Sequence, residues 1–308
     1  MKRDFLSVGD LTREDLDRLI EDAATLKAER RRGFLRDDLK GKALAMIFEK
    51  ASTRTRISFE VGIAELGGYS LFLNPRDTQL GRGEEVRDTA RVISRYVAGV
   101  MIRARSHQSL QEFSRYAEVP VINGLSDREH PCQILADIFT ITEYFGDLEG
   151  VNVAWIGDGN NVCNSWILAA PLTGVDLRVA SPARYGPDQE ILSLARKRGG
   201  KITLMDSPSL AAKNADVLYT DVWVSMGDEE EGASRMKELQ GYSITPELVE
   251  TASPRAIVMH CLPAHRGEEI AEEVLESPQS VVWEQAENRL HAQKALLLRL
   301  MGTGRNPG

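Results

Sequence analysis

Short apolar runs alternate with longer amphipathic stretches along this chain, and the alternation starts twice, once near Ala43 and again after Gly150. In the first round the runs at 43–48, 71–73, 100–102 and 120–122 read as strands. Helical spacing falls between them near 55–66, 84–96 and 108–117, and over 132–144, which Gly146 ends. In the second round strands are predicted at 151–156, 177–180, 202–205, 217–220 and 257–260, with a helix over 162–172. Strands that alternate with helices of this length predict parallel sheets wound with helices on both faces. The expected fold is therefore α/β, with two doubly wound parallel-sheet domains, 1–146 and 147–308. A last helix at about 288–301 is expected to cross back to the first domain. Ahead of all this, Thr12 and Asp15 look like a capping box for a helix carrying Leu16, Leu19, Ile20, Ala23 and Leu26.

A length of 308 residues suits two domains of roughly 150 residues each. The net charge of -8 is spread along the chain and argues against a nucleic-acid binder, which needs a clustered basic footprint. No apolar run approaches the roughly 20 residues that span a bilayer. The N-terminus turns acidic at once and lacks the apolar stretch of a signal peptide. Three cysteines, Cys132, Cys163 and Cys261, form an odd set without paired spacing, which predicts free thiols in a reducing compartment and hence a cytoplasmic location.

In doubly wound sheets, ligands sit beyond the carboxyl ends of the strands, so chemistry is sought there. After the first strand comes Ser52-Thr53-Arg54-Thr55-Arg56, which opens a helix. Hydroxyls, guanidiniums and a helix N-terminus together suit a phosphate. The same residues also read as a capped helix with solvated arginines. Arg103 follows the strand at 100–102, and His130-Pro131-Cys132-Gln133 opens the longest helix of the first round. Alone, His130 reads as a capping or structural histidine rather than a catalytic one. Gln79-Leu80-Gly81-Arg82-Gly83-Glu84 is a polar loop whose simplest reading is a surface turn.

The second round opens with Gly157-Asp158-Gly159-Asn160-Asn161 at a strand-to-helix turn. A dinucleotide fingerprint would need glycine where Val162 stands, and an acid after the next strand, which ends at Ala180-Ser181. A nicotinamide cofactor is not expected; Asn161 is instead placed to meet a substrate carboxylate. Asp221-Val222-Trp223-Val224-Ser225-Met226-Gly227 follows the strand at 217–220 and suits an ammonium group, or else a helix cap beside a core tryptophan. His260-Cys261-Leu262-Pro263-Ala264-His265-Arg266-Gly267 has a zinc-like look but neither finger spacing nor a source for a fourth ligand, so no metal is expected.

Together with Gln285-Ala286-Glu287-Asn288-Arg289, these segments resemble the aspartate/ornithine carbamoyltransferase superfamily, on its ornithine-using side, over nearly the whole chain. The resemblance implies transfer of the carbamoyl group of carbamoyl phosphate to the δ-amine of L-ornithine, giving L-citrulline and phosphate in arginine biosynthesis, with no cofactor. It implies that Ser52, Thr53, Arg54 and Thr55, helped by Arg103, hold the phosphate. It places His130, Gln133, Arg289 and the backbone at Cys261 and Leu262 on the carbamoyl end. Gln79 would reach into a neighbouring subunit's site, which implies a homotrimer or a multiple of trimers. Asn161, Asp221, Ser225 and Met226 would bind ornithine. Cys261 would contact the acceptor and handle its proton, and Arg54, Arg103, His130 and Cys261 form the expected catalytic set. Closure of the second domain over the first is expected to complete the site. The alternatives are a sister transferase using putrescine or N-acetylornithine, and a non-catalytic anion-binding module.

Overall fold

The computed structural model describes residues 3–74, 83–224 and 232–302. The chain divides into two compact units, Met1–Phe139 with Glu287–Gly308, and Thr140–Ala286.

In the first unit, helix α1 (Arg13–Arg31) precedes strand β1 (Ala43–Phe48), helix α2 (Thr53–Ala64) and strand β2 (Tyr69–Leu73). Helix α3 (Val86–Ile93), strand β3 (Gly99–Arg103), helix α4 (His107–Tyr116) and strand β4 (Val121–Leu125) follow, then helix α5 (Pro131–Phe145), which belongs to this unit as far as Phe139. The strands form one parallel sheet in the order β2-β1-β3-β4. Residues of β1, β3 and β4 are buried along their whole lengths, as expected of parallel strands covered on both faces. The edge strand β2 is largely exposed, so no core face dictates its composition. It begins two residues earlier than the apolar run at 71–73 because Tyr69 and Ser70 pair with Ala43 and Leu44. At the opposite edge Phe5 docks on β4, donating to Val121 O and accepting from Asn123 N, which shields that edge.

Thr12 caps α1, its Oγ1 accepting from Asp15 N at 3.1 Å. The Asp15 carboxylate pairs with Arg299, while a reciprocal capping box forms just upstream between Ser7 and Asp10. That box closes a short 3-10 turn over Val8–Asp10, which the apolar pattern did not disclose.

The second unit repeats the plan. It contains strands β5 (Asn152–Ile156), β6 (Asp176–Ala180), β7 (Lys201–Met205), β8 (Val217–Thr220) and β9 (Ile257–His260), parallel in the order β7-β6-β5-β8-β9. Helices α6 (Asn161–Thr173), α7 (Gln189–Lys197), α8 (Pro208–Ala212), α9 (Gly232–Leu239), α10 (Pro246–Glu250) and α11 (Glu272–Leu275) surround it. Its aromatic centre stacks Trp155 on Tyr219, centroids 5.1 Å apart, with Trp166 edge-on at 6.1 Å.

The last helix, α12 (Val282–Met301), begins six residues before the expected start. From Glu287 onward it belongs to the first unit, where Asn288 accepts from Lys27 at 2.8 Å and Lys294 pairs with Glu65 at 2.7 Å. The expected two parallel sheets and the returning helix are thus present. Among the described residues no helix is long and apolar enough to cross a membrane.

Each sheet reverses its winding direction once. In the first, β1 and β3 are neighbours while β2 lies on the other side of β1; in the second, β5 and β8 are neighbours while β6 lies on the other side of β5. Connections leave those neighbouring strands toward opposite faces, and the crevice between them is where such sheets bind ligands. Ser52 to Thr55 follow β1 and Arg103 ends β3; Gly157 to Asn161 follow β5 and Asp221 follows β8.

Candidate active site

In the first unit, Ser52 caps α2, its Oγ accepting from Thr55 N at 3.3 Å. An α-helix leaves the N–H groups of its first turn without carbonyl partners, and its dipole makes that end positive. Thr53 is exposed and Ser52 and Arg54 are half-buried around this end. The two guanidiniums of the motif part company. Arg56 lies outward, paired with Glu60 at 3.0 Å and stacked 3.8 Å above Phe72, whereas Arg54 acts electrostatically on His130. Thr55 is buried beneath the turn, where its Oγ1 accepts from Arg289 at 3.2 Å.

Arg289 is buried and held from several sides. Its Nη1 donates to Gln133 Oε1 at 2.7 Å, and Gln133 Nε2 in turn donates to Asp137 at 2.9 Å. The Gln293 amide, oriented with its oxygen toward Arg289, accepts from Nη2 at 2.8 Å and Nε at 3.1 Å, and its nitrogen donates to Ser58 at 2.6 Å. A cation secured in this way needs little reorganisation when an anion arrives.

His130, just ahead of α5, is buried at the centre of this group. Burial, reinforced by Arg289, Arg103 and Arg54, holds its imidazole well below the ordinary histidine range. Three guanidiniums close enough to suppress its protonation make a site poised for negative charge, with a neutral N–H donor among them. The structure thus brings together Arg54, Arg103, His130, Gln133 and Arg289, with Ser52 and Thr53 at the adjoining helix end. Gln79 lies outside the described residues.

Glu129, beside His130, is a site neighbour that sequence reasoning passed over. It is buried, its carboxylate accepts from Val8 N at 3.3 Å, and Ser7 adds a second bond. Burial, with Asp10 nearby, nevertheless pushes its pKa up to about 7. Its backbone is tied to Ser126, whose N–H donates to Glu129 O at 2.8 Å.

In the second unit the centre is Asp221, buried at the end of β8. Its Oδ2 accepts from Asn160 Nδ2 at 2.7 Å; its Oδ1 accepts from Cys261 Sγ at 2.9 Å and from Val222 N at 2.9 Å. Asn160 also caps α6, its Oδ1 accepting from Val162 N and Cys163 N. The residue that touches Asp221 is therefore Asn160, whereas Asn161 begins α6 and its carbonyl accepts from Ser165. The preference of asparagine for helix N-caps was the signal that separates the two. Ser225 and Met226 lie outside the described residues.

The Cys261-Leu262 backbone is set from below. Leu262 has a left-handed φ of +58°, and its N–H donates to His260 Nδ1 at 2.8 Å. His260 Nε2 then carries the proton and donates to buried Glu269 at 3.0 Å, while His260 N donates to Gln285 Oε1 at 3.0 Å. Asp221, His260 and Cys261 lie close enough to suggest a metal cluster, yet both imidazole nitrogens are already committed. The glycines of the β5 turn have a local explanation too. Gly157 has φ +128°, and a Cβ on Gly159 would lie 2.3 Å from Pro187 N, so they permit close packing without any pyrophosphate.

Fold and side chains together define an α/β protein with a cationic anion cradle at one sheet's switch point and a carboxylate–thiol clamp at the other's. Comparison with known proteins narrows this class. Residues 3–143 match the aspartate/ornithine carbamoyltransferase carbamoyl-P binding domain, and 149–300 match that family's Asp/Orn binding domain. An ornithine carbamoyltransferase of Methanoculleus marisnigri is 62% identical, covering 99% of this chain and 98% of its own. The structure of the Pyrococcus furiosus ornithine carbamoyltransferase superposes with a TM-score of 0.94 at 49% identity, covering 99% of this chain and 98% of its own. That of the anabolic ornithine carbamoyltransferase from Campylobacter jejuni gives 0.91 at 45%, covering 97% and 99%. The chain belongs to the aspartate/ornithine carbamoyltransferase family.

Proposed function

We propose that this protein transfers the carbamoyl group of carbamoyl phosphate to the δ-amine of L-ornithine, releasing L-citrulline and phosphate. The observation that carries the reading is the convergence of Arg54, Arg103 and Arg289 on the neutral imidazole of His130, at the switch point of the first sheet. The choice of ornithine is supported by the Asp221 clamp and by the name shared by close full-length relatives.

Carbamoyl phosphate is assigned to residues of the first unit. Ser52, Thr53, Arg54 and Arg103 hold the phosphate, and Thr55, buried below them, fixes Arg289. His130, Gln133 and Arg289 take the carbamoyl group. Ornithine is assigned to Asp221, Asn161, Ser225 and Met226, with Asn160 holding the Asp221 carboxylate in place.

An alkyl ammonium has a pKa of about 10.4, so the δ-nitrogen must be brought to its neutral form before it can attack. Guanidiniums around the carbamoyl group favour that neutral form, while Asp221 pairs with the α-ammonium. As the new C–N bond forms, charge gathers on the carbamoyl oxygen, where the His130 N–H and Arg54 stabilise it. Collapse breaks the bond to phosphate, whose negative charge stays with Arg54 and Arg103. The nitrogen sheds its proton to the Cys261 sulfur as the thiol passes its own proton along its hydrogen bond to the Asp221 carboxylate.

We place the reaction in arginine biosynthesis in the cytoplasm, and the protein in a homotrimer. Exposed Ile57 on α2 and Tyr69 and Leu71 on the edge strand β2 support the last point, as large apolar side chains left open in the first unit. An acceptor panel of ornithine, putrescine, N-acetylornithine and aspartate, each with carbamoyl phosphate, tests the assignment. Citrulline from ornithine alone is expected; equal turnover of putrescine would replace this reading with the sister activity.

A further inference from the structure

One buried polar side chain of the first unit has no role in the steps above. Gln293 lies one turn beyond Arg289 on α12, and positions four apart share a helix face. It is fully buried, and an amide taken out of water is costly unless both of its ends find partners. Those partners show what the amide does.

Its orientation is forced from both sides. Ser58 Oγ on α2 lies 2.7 Å from Arg54 O and 3.2 Å from Thr55 O, carbonyls that can only accept, so the hydroxyl proton is committed to the backbone. Toward Gln293, 2.6 Å away, Ser58 therefore presents lone pairs and meets the amide nitrogen. Arg289 Nη2 and Nε, at 2.8 and 3.1 Å, present only hydrogens and meet the amide oxygen. One directed series of hydrogen bonds thus runs from Arg289 through Gln293 and Ser58 to the first turn of α2. Thr55 Oγ1 reaches Nη2 alone, and Gln133 reaches Nη1. Gln293 grips the Nη2–Nε edge as a whole, which sets the plane of the guanidinium.

The geometry points to Gln293 as a positioning residue for the carbamoyl group, one that fixes the plane of Arg289 against the helix end gripping the phosphate. This role rests on the proposed assignment of Arg289 to the carbamoyl end and Arg54 to the phosphate. The test is steady-state kinetics on the full chain at saturating ornithine, with inorganic phosphate as the inhibitor against carbamoyl phosphate. Gln293→Met keeps the length of the side chain and loses both hydrogen bonds. It should raise the KM for carbamoyl phosphate by about tenfold to a hundredfold, the size of a lost bond to a charged group. The Ki for phosphate, which needs no carbamoyl contact, should stay within about twofold of the parent.

Gln293→Glu should do no better, because its carboxylate has no N–H for Ser58 and offsets the charge of Arg289. Ser58→Ala should raise the same KM by about threefold to tenfold, as for a neutral hydrogen bond. Combined with Gln293→Met it should add nothing further, because both changes break one series. Should Gln293→Met fail to fold, Gln293→Glu and Ser58→Ala decide. A parental KM in the Gln293 variants, an equal rise in KM and phosphate Ki, or effects that multiply in the double variant overturns the role of Gln293. Absence of citrulline from the parent protein, or of any inhibition by phosphate, would refute the underlying assignment of carbamoyl phosphate instead.

Discussion

Replacing Glu129 by glutamine should make the first unit more stable at pH 8 and hardly change it at pH 4.5. Glutamine keeps the shape and an acceptor oxygen for Val8 N but never ionises. Burial raises the Glu129 pKa from 4.5 to about 7, against the opposing pull of the Ser7 and Val8 hydrogen bonds. Between those values the folded protein retains a proton that the unfolded chain has released. Stability contributed by that bound proton is complete below pH 4.5 and falls as the pH rises through 7. A displacement of this size, at about 1.4 kcal/mol per pH unit, amounts to roughly 3 kcal/mol. The difference in unfolding free energy between the variant and its parent should thus grow by roughly 3 kcal/mol from pH 4.5 to 8 and then level off. Tryptophan fluorescence is the wrong probe, because Trp155, Trp166, Trp223 and Trp283 all lie in the second unit. Hydrogen exchange in peptides covering β3 and β4, followed in increasing urea at both pH values, reports the first unit directly. Parallel pH profiles for the two proteins would refute the buried-carboxyl argument; a divergence of opposite sign would mean that the hydrogen bonds outweigh desolvation.

Arg54→Ala should lower kcat/KM by about a thousandfold, since both the phosphate and the developing oxyanion lose a fixed donor; turnover near the parent's level would argue against the cradle. Asp221→Asn should raise the KM for ornithine by about a hundredfold while leaving that for carbamoyl phosphate within about twofold, because the charge-assisted bond to the α-ammonium is lost and the new amide NH2 must face Asn160 Nδ2 or the Cys261 and Val222 donors. Equal damage to both would contradict the division of labour. Gly157→Ala should cost about 1–3 kcal/mol in thermal or urea unfolding, because φ is +128° there and the new Cβ would stand 3.3 Å from Thr220 Oγ1. Mixing a Gln79→Ala protein with an Arg103→Ala protein should restore part of the activity if each site draws Gln79 from a second copy; no recovery on mixing and refolding would count against the shared site.

The strands were legible because parallel strands covered on both faces must be apolar throughout, and β1, β3 and β4 are. Legibility failed where polar groups go inside. Apolar spacing started the last helix at about Asn288, although it begins at Val282, because buried Gln285 interrupts the apolar stripe in the missed stretch, as buried Asn288 and Arg289 do just beyond it. Each is held by a specific partner: Gln285 by His260 N and Tyr219 OH, Asn288 by Lys27, and Arg289 by Gln133 and Thr55. A periodicity argument counts such residues as surface and shortens the helix accordingly.

The same physics limited what could be read of the site. Ser52, Arg54, Arg103 and Asp221 were legible from position alone, since strand ends and helix starts are where a doubly wound fold presents its chemistry. Which neighbour turns inward is settled by partners far away in sequence. Thr55 is drawn under the cradle by Arg289, Arg56 is turned outward by Glu60 and Phe72, and Asn160 rather than Asn161 reaches Asp221 because its other atoms cap α6. Glu129 was the least visible, for its charge suggests a solvated loop until the Ser7–Asp10 turn is found covering it. Burying an ionisable group is costly enough to need a compensating partner, and here the partner lies more than a hundred residues away. Polar residues that break an apolar pattern are therefore the places where this fold concentrates its chemistry, and each becomes readable only once its distant partner is known.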